Sequence, residues 1–241
     1  MKRFLKNIIR KSGLDVHYLS PTSNLPLQLL KGLKKFKVDL VLDIGANIGQ
    51  FAIELRDIGY LDRIVSFEPL TEAHAQLKRA ASKDKKWEIH HRGAIGETDD
   101  VIVINIAGNS VSSSTLPMLD AHRIAALDSA YISSEITPIQ TLDVVAQDYI
   151  TESSNVFIKI DTQGSEWQVL NGGRETLKRV CGVMLELSLV PLYDGQRLWS
   201  EIIDRLNSEG FTLWAIQNGF TNPINGRTLQ IDAIFFRDND T

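Results

Sequence analysis

Short apolar runs alternate with amphipathic stretches along most of the chain. VDLVLDI (38–44), RIVSFE (63–68), WEIHHRGAI (87–95), VIVINI (101–106), NVFIKI (155–160) and VCGVMLELS (180–188) are rich in Val, Ile, Leu and Phe on both faces. Runs of that kind read as strands of a buried, mostly parallel sheet. Between them, Gln50–Leu55, Thr71–Ala81, Leu142–Tyr149, the residues after Glu166, and Trp199–Asn207 carry apolar side chains at helical spacing. Glu135–Gln140 is expected to lead into the helix at Leu142, with Thr141 as its N-cap. Strand and helix in alternation predict an α/β domain. FTLWAIQ (211–217) and QIDAIFFR (230–237) flank a polar loop with Asn222-Pro223 and Asn225-Gly226, and so predict a closing hairpin. Residues 21–36 hold Pro21, Pro26, Leu27, Leu29, Leu30, Leu33 and Phe36, a short helix leading into the first strand. The chain therefore divides into a helical extension, 1–36, and one domain, 37–241.

The first strand ends in Asp43 and runs into Gly45-Ala46-Asn47-Ile48-Gly49, after which a helix begins. A strand, a glycine turn and a helix start form a nucleotide site: glycine lets backbone approach a ligand, and free N–H groups at the helix start point at it. Asn47 occupies the middle position of the dinucleotide fingerprint, where a pyrophosphate needs glycine. Asp43 suits a ligand bearing an amine or a ribose rather than a pyrophosphate. S-adenosylmethionine has both and no phosphate, which disfavours a nicotinamide dehydrogenase. Glu68 closes the second strand 25 residues after Asp43, before Pro69, where an acid can accept hydrogen bonds from ribose hydroxyls. Gly93-Ala94-Ile95-Gly96 is small and apolar enough for an adenine to lie against it.

Asn155–Leu170, NVFIKIDTQGSEWQVL, is the second chemical stretch. Lys159 interrupts its strand and needs a partner, for which Glu186, inside the apolar strand 180–188, is the candidate. Asp161 stands at the strand end, where ligands bind in open α/β sheets, and Glu166 opens the next helix. Both can act as general base, metal ligand or substrate acceptor. His90 and His91 are adjacent on a strand, and His91 is a further candidate base. Asp232 alternates onto one face of the last strand as a buried structural acid. Ser110 and Ser112–Ser114 offer hydroxyls at the rim, and residues 116–136 and 218–228 are expected to shape the substrate pocket.

Charge and composition narrow the partners. The 241 residues carry a net charge of −4, so no overall basic field draws nucleic acid. The only cysteine, Cys181, excludes an internal disulfide and any zinc spacing, and fits a reducing, cytoplasmic compartment. Met1–Leu14 combines Lys2, Arg3, Lys6, Arg10 and Lys11 with Phe4, Leu5, Ile8 and Ile9 on one helical face. Such a segment packs on the domain or touches a membrane surface weakly. No apolar stretch has bilayer-spanning length.

VLDIGANIGQFA, SFEP, GAIG, TLD, IKIDTQGSEWQVLNG and MLELSLVPLYDG, in this order, resemble the FkbM family of S-adenosylmethionine-dependent methyltransferases. The resemblance covers roughly 38–237 and leaves out the basic N-terminal segment. It implies a Rossmann-like, seven-stranded, mostly parallel sheet with an antiparallel last strand and helices on both faces, the class I methyltransferase fold. It also implies O-methylation of a hydroxyl on a sugar, a glycan or a polyketide-type product. Asp43, Gly45, Ala46, Asn47 and Gly49 then form the cofactor loop, Glu68 and Pro69 hold the ribose, and Ala94 and Ile95 face the adenine. Asp161 and Glu166 face the methyl group, Asp161 touching the cofactor as well as being the first choice of base, with His91 a weaker second. A divalent metal is left open but not predicted, as are a silent cofactor-binding module and the oligomeric state.

Overall fold

The computed structural model describes residues 10–11, 13–14, 20–21 and 24–237. Of the basic segment Met1–Leu14, only 10–11 and 13–14 are among them. Helix α1 (Leu25–Lys35) starts where Asn24 Oδ1 accepts the Leu27 N–H at 2.9 Å and Pro26 fills the first turn. There follow β1 (Leu40–Ile44), α2 (Gln50–Asp57), β2 (Arg63–Phe67), α3 (Thr71–Ala81) and β3 (Trp87–Ile89). Then come β4 (Ala94–Gly96), β5 (Asp100–Ala107), α4 (Asp120–Ala125), β6 (Tyr131–Thr141) and α5 (Leu142–Val145). The chain closes with β7 (Val156–Ile160), α6 (Glu166–Gly172), α7 (Arg174–Leu177), β8 (Gly182–Ser188), α8 (Trp199–Ser208), β9 (Thr212–Asn218) and β10 (Gln230–Phe236).

Seven strands form one sheet in the order β3-β2-β1-β7-β8-β10-β9. Only β10 runs antiparallel to its neighbours, with Asp232 opposite Glu186 on β8 and Gln217 on β9. The strand order reverses between β1 and β7, whose C-terminal ends therefore diverge into a crevice where a ligand can enter. Every residue of β1 and β7 is buried, in keeping with strands covered on both faces. One face packs Val41, Phe157, Met184, Ile234 and Phe236 against Leu29 and Leu33 of α1, Leu55 of α2 and Leu77 of α3. The other packs Leu42, Ile158 and Leu185 against Leu142, Leu170, Leu177 and Leu206 from α5 to α8.

A second, three-stranded sheet, β4-β6-β5, was not expected. Glu135–Gln140 leads directly into the helix at Leu142, as expected, and is itself part of β6, the central strand of this sheet. The stretch hides from pattern reading because Pro138 sits within it and much of it faces solvent. Ile102, Ile104, Ile106 and Ile139 of this sheet pack on Leu70 and Ala73 and roof the crevice beyond β2. Thr141 occupies the N-cap position but makes no capping bond, and the helix it opens lasts only to Val145 before a tighter turn, 146–148. Its neighbour Asp143 instead caps α7, accepting from the Glu175 and Thr176 N–H groups at 3.1 and 2.7 Å.

Candidate active site

A cavity of about 740 Å³ lies over the C-terminal ends of the large sheet. One end is walled by Ala46, Asn47, Glu68, Pro69, Ala94 and Ile95, with Leu70, Ile102 and Ile104 behind. The other is walled by Phe51 and Glu54 of α2, Lys159, Met184, Gln217 and Asp232. Asp161 also lines the cavity. Its volume is in the range of small-molecule sites.

The turn after β1 works differently from a plain ligand cradle. Gly45 has φ +77°, and a Cβ there would lie 1.8 Å from the Asp161 carbonyl oxygen. Its bareness lets β1 and β7 end side by side as well as opening the wall. Gly49, at φ +99°, does not line the cavity, and its Cβ would strike the Trp87 ring at 2.7 Å. It is a packing glycine. Asn47 takes φ +49°, which turns its N–H onto Glu68 Oε2 at 2.8 Å. Glu68 Oε1 accepts the Leu70 N–H at 2.9 Å. Each oxygen keeps one lone pair for a ligand hydroxyl. Burial raises the Glu68 carboxyl to about 7 against these two backbone donors.

Asp43 does not reach the cavity. It is fully buried, and Oδ2 accepts from the Ser66 hydroxyl at 3.0 Å, which itself accepts from Trp87 Nε1 at 2.9 Å. Across β1 and β7, Lys159 Nζ stands 3.5 Å from Asp43 and 3.2 Å from Asp161, and donates to the Gly45 carbonyl at 3.2 Å. Trp87, Ser66, Asp43, Lys159 and Asp161 thus form one polar chain over four neighbouring strands. Burial pulls the Lys159 ammonium pKa down, but Asp161 and Asp43 outweigh it and the cation is held. The expected Lys159–Glu186 pair is replaced: Glu186 Oε2 accepts from Gln163 Nε2 and Gln230 Nε2, both at 2.7 Å. Gln163 Nε2 also donates to Asp161 Oδ1 at 2.8 Å, and its Oε1 accepts from the Tyr193 hydroxyl at 2.8 Å.

Glu166 and His91 fall outside the cavity wall. Glu166 is buried and braces its own turn, Oε1 accepting from Thr162 N at 3.0 Å and Gly164 N at 3.1 Å. Burial raises its carboxyl to about 7. His91 is exposed, while His90 is buried with Nδ1 2.7 Å from the Tyr149 hydroxyl. Ser110, Ser113 and Ser114 line the cavity, but two of the hydroxyls are tied to backbone: Ser114 Oγ donates to the Gln163 carbonyl at 2.6 Å and Ser113 Oγ to the Ser110 carbonyl at 2.7 Å. Ser110 accepts weakly from Asn47 Nδ2 at 3.4 Å, so the loop meets the glycine turn. Of 116–136 only Leu116 reaches the wall, and 218–228 does not. Phe220 packs with Leu192 and Tyr193 instead.

Sequence reading missed Lys159, Gln163, Gln217 and Asp232 as cavity residues. The signal for Asp232 was present, a carboxylate inside an apolar strand, as it was for Glu186.

The sequence profile described as "Methyltransferase FkbM domain" matches residues 43–213. The chain belongs to the FkbM methyltransferase family. This FkbM domain is a class I, S-adenosylmethionine-dependent methyltransferase. No curated protein matches it. Solved structures similar in fold include an rRNA methylase from Streptococcus thermophilus, 12% identical, TM-score 0.46, covering 92% of this chain and 98% of that one. Magnesium protoporphyrin IX methyltransferase (ChlM) from Synechocystis PCC 6803 with bound SAM is 9% identical, TM-score 0.46, covering 98% and 97%. Precorrin-6y C5,15-methyltransferase from Geobacter metallireducens GS-15 is 11% identical, TM-score 0.44, covering 92% of each chain.

The first end of the FkbM cavity fits the cofactor. Glu68 offers two acceptors for a ribose diol, and Leu70, Ala94, Ile95, Ile102 and Ile104 form apolar walls for a flat base. Among the described residues, no group of three or more His, Cys, Asp or Glu is arranged to hold a metal ion, and no helix is long and apolar enough to cross a membrane.

Proposed function

We propose that the protein transfers a methyl group to a hydroxyl, on a sugar or glycan acceptor. The observation that carries this is the second end of the cavity. Asp161, Gln163, Gln217, Asp232 and Glu54 put carboxylates and amides on its wall, with one cation, Lys159, already flanked by two acids. Carboxylates and amides suit a polyol, whose hydroxyls both donate and accept. They oppose phosphate, which speaks against nucleic acid, as does the net charge of −4. Phe51 and Met184 supply a limited apolar surface, less than a long lipid or polyketide chain would cover. The proposal includes a cytoplasmic setting, which suits the free Cys181, and weak membrane-surface contact through residues 1–14.

S-adenosylmethionine, when bound, supplies a methyl on a sulfonium that is already a strong electrophile. The chain must hold the acceptor oxygen in line with it and exclude water. A sugar hydroxyl is almost un-ionised near neutral pH, so a base must take its proton during transfer. Residues 46–47, Glu68, Pro69, Ala94 and Ile95 would hold the cofactor, leaving the Asp161 end for the acceptor. The test is transfer of radiolabelled methyl from S-adenosylmethionine to methyl glycosides, glycans, polyketide alcohols and RNA. Base-stable label on the sugars is the expected result; label confined to RNA or to amine nitrogen would overturn the proposal.

A further inference from the structure

Six acids gather around the crevice edge of the sheet, and five are engaged by the protein's own donors. Asp43 accepts from Ser66 and faces Lys159. Glu68 holds the Asn47 and Leu70 N–H groups. Asp161 is fixed between Lys159 and the Gln163 amide. Glu166 is spent on Thr162 and Gly164, and Glu186 on Gln163 and Gln230. Asp232, on β10, is the exception. It lines the cavity and, among the described residues, its carboxylate has no hydrogen-bond or ion-pair partner. Glu54, the other unbonded acid on that wall, is exposed on α2.

Resting on the hydroxyl-methylation reading above, we propose that Asp232, rather than Asp161, is the general base that takes the acceptor proton. A carboxylate held by an ammonium and an amide has one lone pair of each oxygen committed to the protein's own donors and its position fixed by them. An unbonded carboxylate on the same wall keeps its lone pairs for the substrate. In the step, the acceptor O–H proton moves to an Asp232 oxygen as that acceptor oxygen's electron pair forms the O–CH₃ bond. The S–CH₃ bond breaks, its pair stays on sulfur, and neutral S-adenosylhomocysteine leaves. Asp232 then returns the proton to water.

The surroundings agree with that task. Asp232 is faced by Lys159 of β7 and Asp161 just beyond it, Glu186 of β8, Gln217 of β9 and Glu54 of α2. Burial, then Asp161, raise its carboxyl to about 7 against the opposing pull of Lys159. A base with that affinity sits near the operating pH.

The test compares wild type, Asp232→Asn and Asp232→Glu as full chains. S-adenosylhomocysteine binding is followed by calorimetry, methyl transfer to methyl glycosides by radiolabel, and aspartate carboxyls by NMR after isotope labelling of the side-chain carbons. The wild type should show an aspartate titrating near pH 7 that is missing from Asp232→Asn. Transfer should fall by at least ~100-fold in Asp232→Asn, with S-adenosylhomocysteine affinity within about threefold, under one kcal/mol. Asp232→Glu should recover part of the rate and keep the decline at low pH. A wild type without such a titrating aspartate, or Asp232→Asn transferring at the wild-type rate, overturns the assignment. Failure of S-adenosylhomocysteine to bind the wild type strikes the cofactor reading instead.

Discussion

The two ends of the cavity are built in opposite ways. The proposed cofactor end comes mainly from three short continuous segments, 44–47, 67–70 and 93–98, with Ile102 and Ile104 behind them. Its acid, Glu68, is already clasped by two backbone donors. The proposed acceptor end is assembled from α2 and the ends of β7, β8, β9 and β10, residues up to 181 positions apart, from Phe51 to Asp232. There Asp161 is clasped and Asp232 is left unbonded. The difference separates holding from reacting. In the proposed roles, a carboxylate that presents a fixed surface is tied down by its own chain, whereas one that gains and loses a proton is kept free of partners.

The contrast can be broken most severely at the seam between the two ends. Gly45→Ala places a Cβ 1.8 Å from the Asp161 carbonyl at φ +77°, and backbone on both sides must move. We expect a loss of about 3–4 kcal/mol, with much of the chain unfolded at growth temperature. Urea unfolding checks this; a change under about 1 kcal/mol would show that the seam is slack.

Next is Lys159→Met, which leaves Asp43 buried without its cation. A cost of about 3 kcal/mol is expected, recovered in good part by adding Asp43→Asn. Additive losses in that double-variant cycle would mean that the two side chains do not act as a pair.

Glu68→Gln sharpens the comparison at the cofactor end. It should weaken S-adenosylhomocysteine about 10- to 100-fold, the scale of a charge-assisted hydrogen bond. Equal affinity for this variant and the wild type would remove Glu68 from the ligand.

The smallest effect concerns pH. Burial raises Glu68, Glu166 and Asp232 to about 7 in the fold, well above ordinary carboxyl values. Between the ordinary range and about 7 the folded chain therefore holds more protons than the unfolded one. Stability falls as pH rises through that window. Asp232→Asn should raise the melting temperature by ~2–4 °C near pH 8, the response to about 1 kcal/mol in a chain of this size. It should do nothing near pH 4. A gain that persists unchanged in acid would show that it comes from packing rather than ionisation.

Most of the large sheet was legible because each strand carries its own apolar signal, as in LVLDI and VFIKI. The cofactor turn was legible because its residues are consecutive. β6 was not, since an exposed strand containing Pro138 has little apolar pattern to read. Gly49 and Asp43 look like ligand residues from spacing alone, yet Gly49 clears room for Trp87 and Asp43 faces Ser66 and Lys159. Those partners lie 23 to 116 residues away in the chain. Glu166, likewise, reads as a site acid until its carboxylate is seen to turn back onto Gly164.

The amino-acid sequence by itself determined the α/β class, the glycine turn, the position of Glu68 and membership of the FkbM family. The first three are local, since propensity, periodicity and spacing act within a few tens of residues, and the family is carried by the order of such local motifs over residues 43–213. Which acids are satisfied and which one is left facing the cavity was decided only by the tertiary structure. A carboxylate's state depends on the donors and charges within a few ångströms of it, and parallel pairing of β1, β7 and β8 with the antiparallel return of β10 brought those together from across the whole chain.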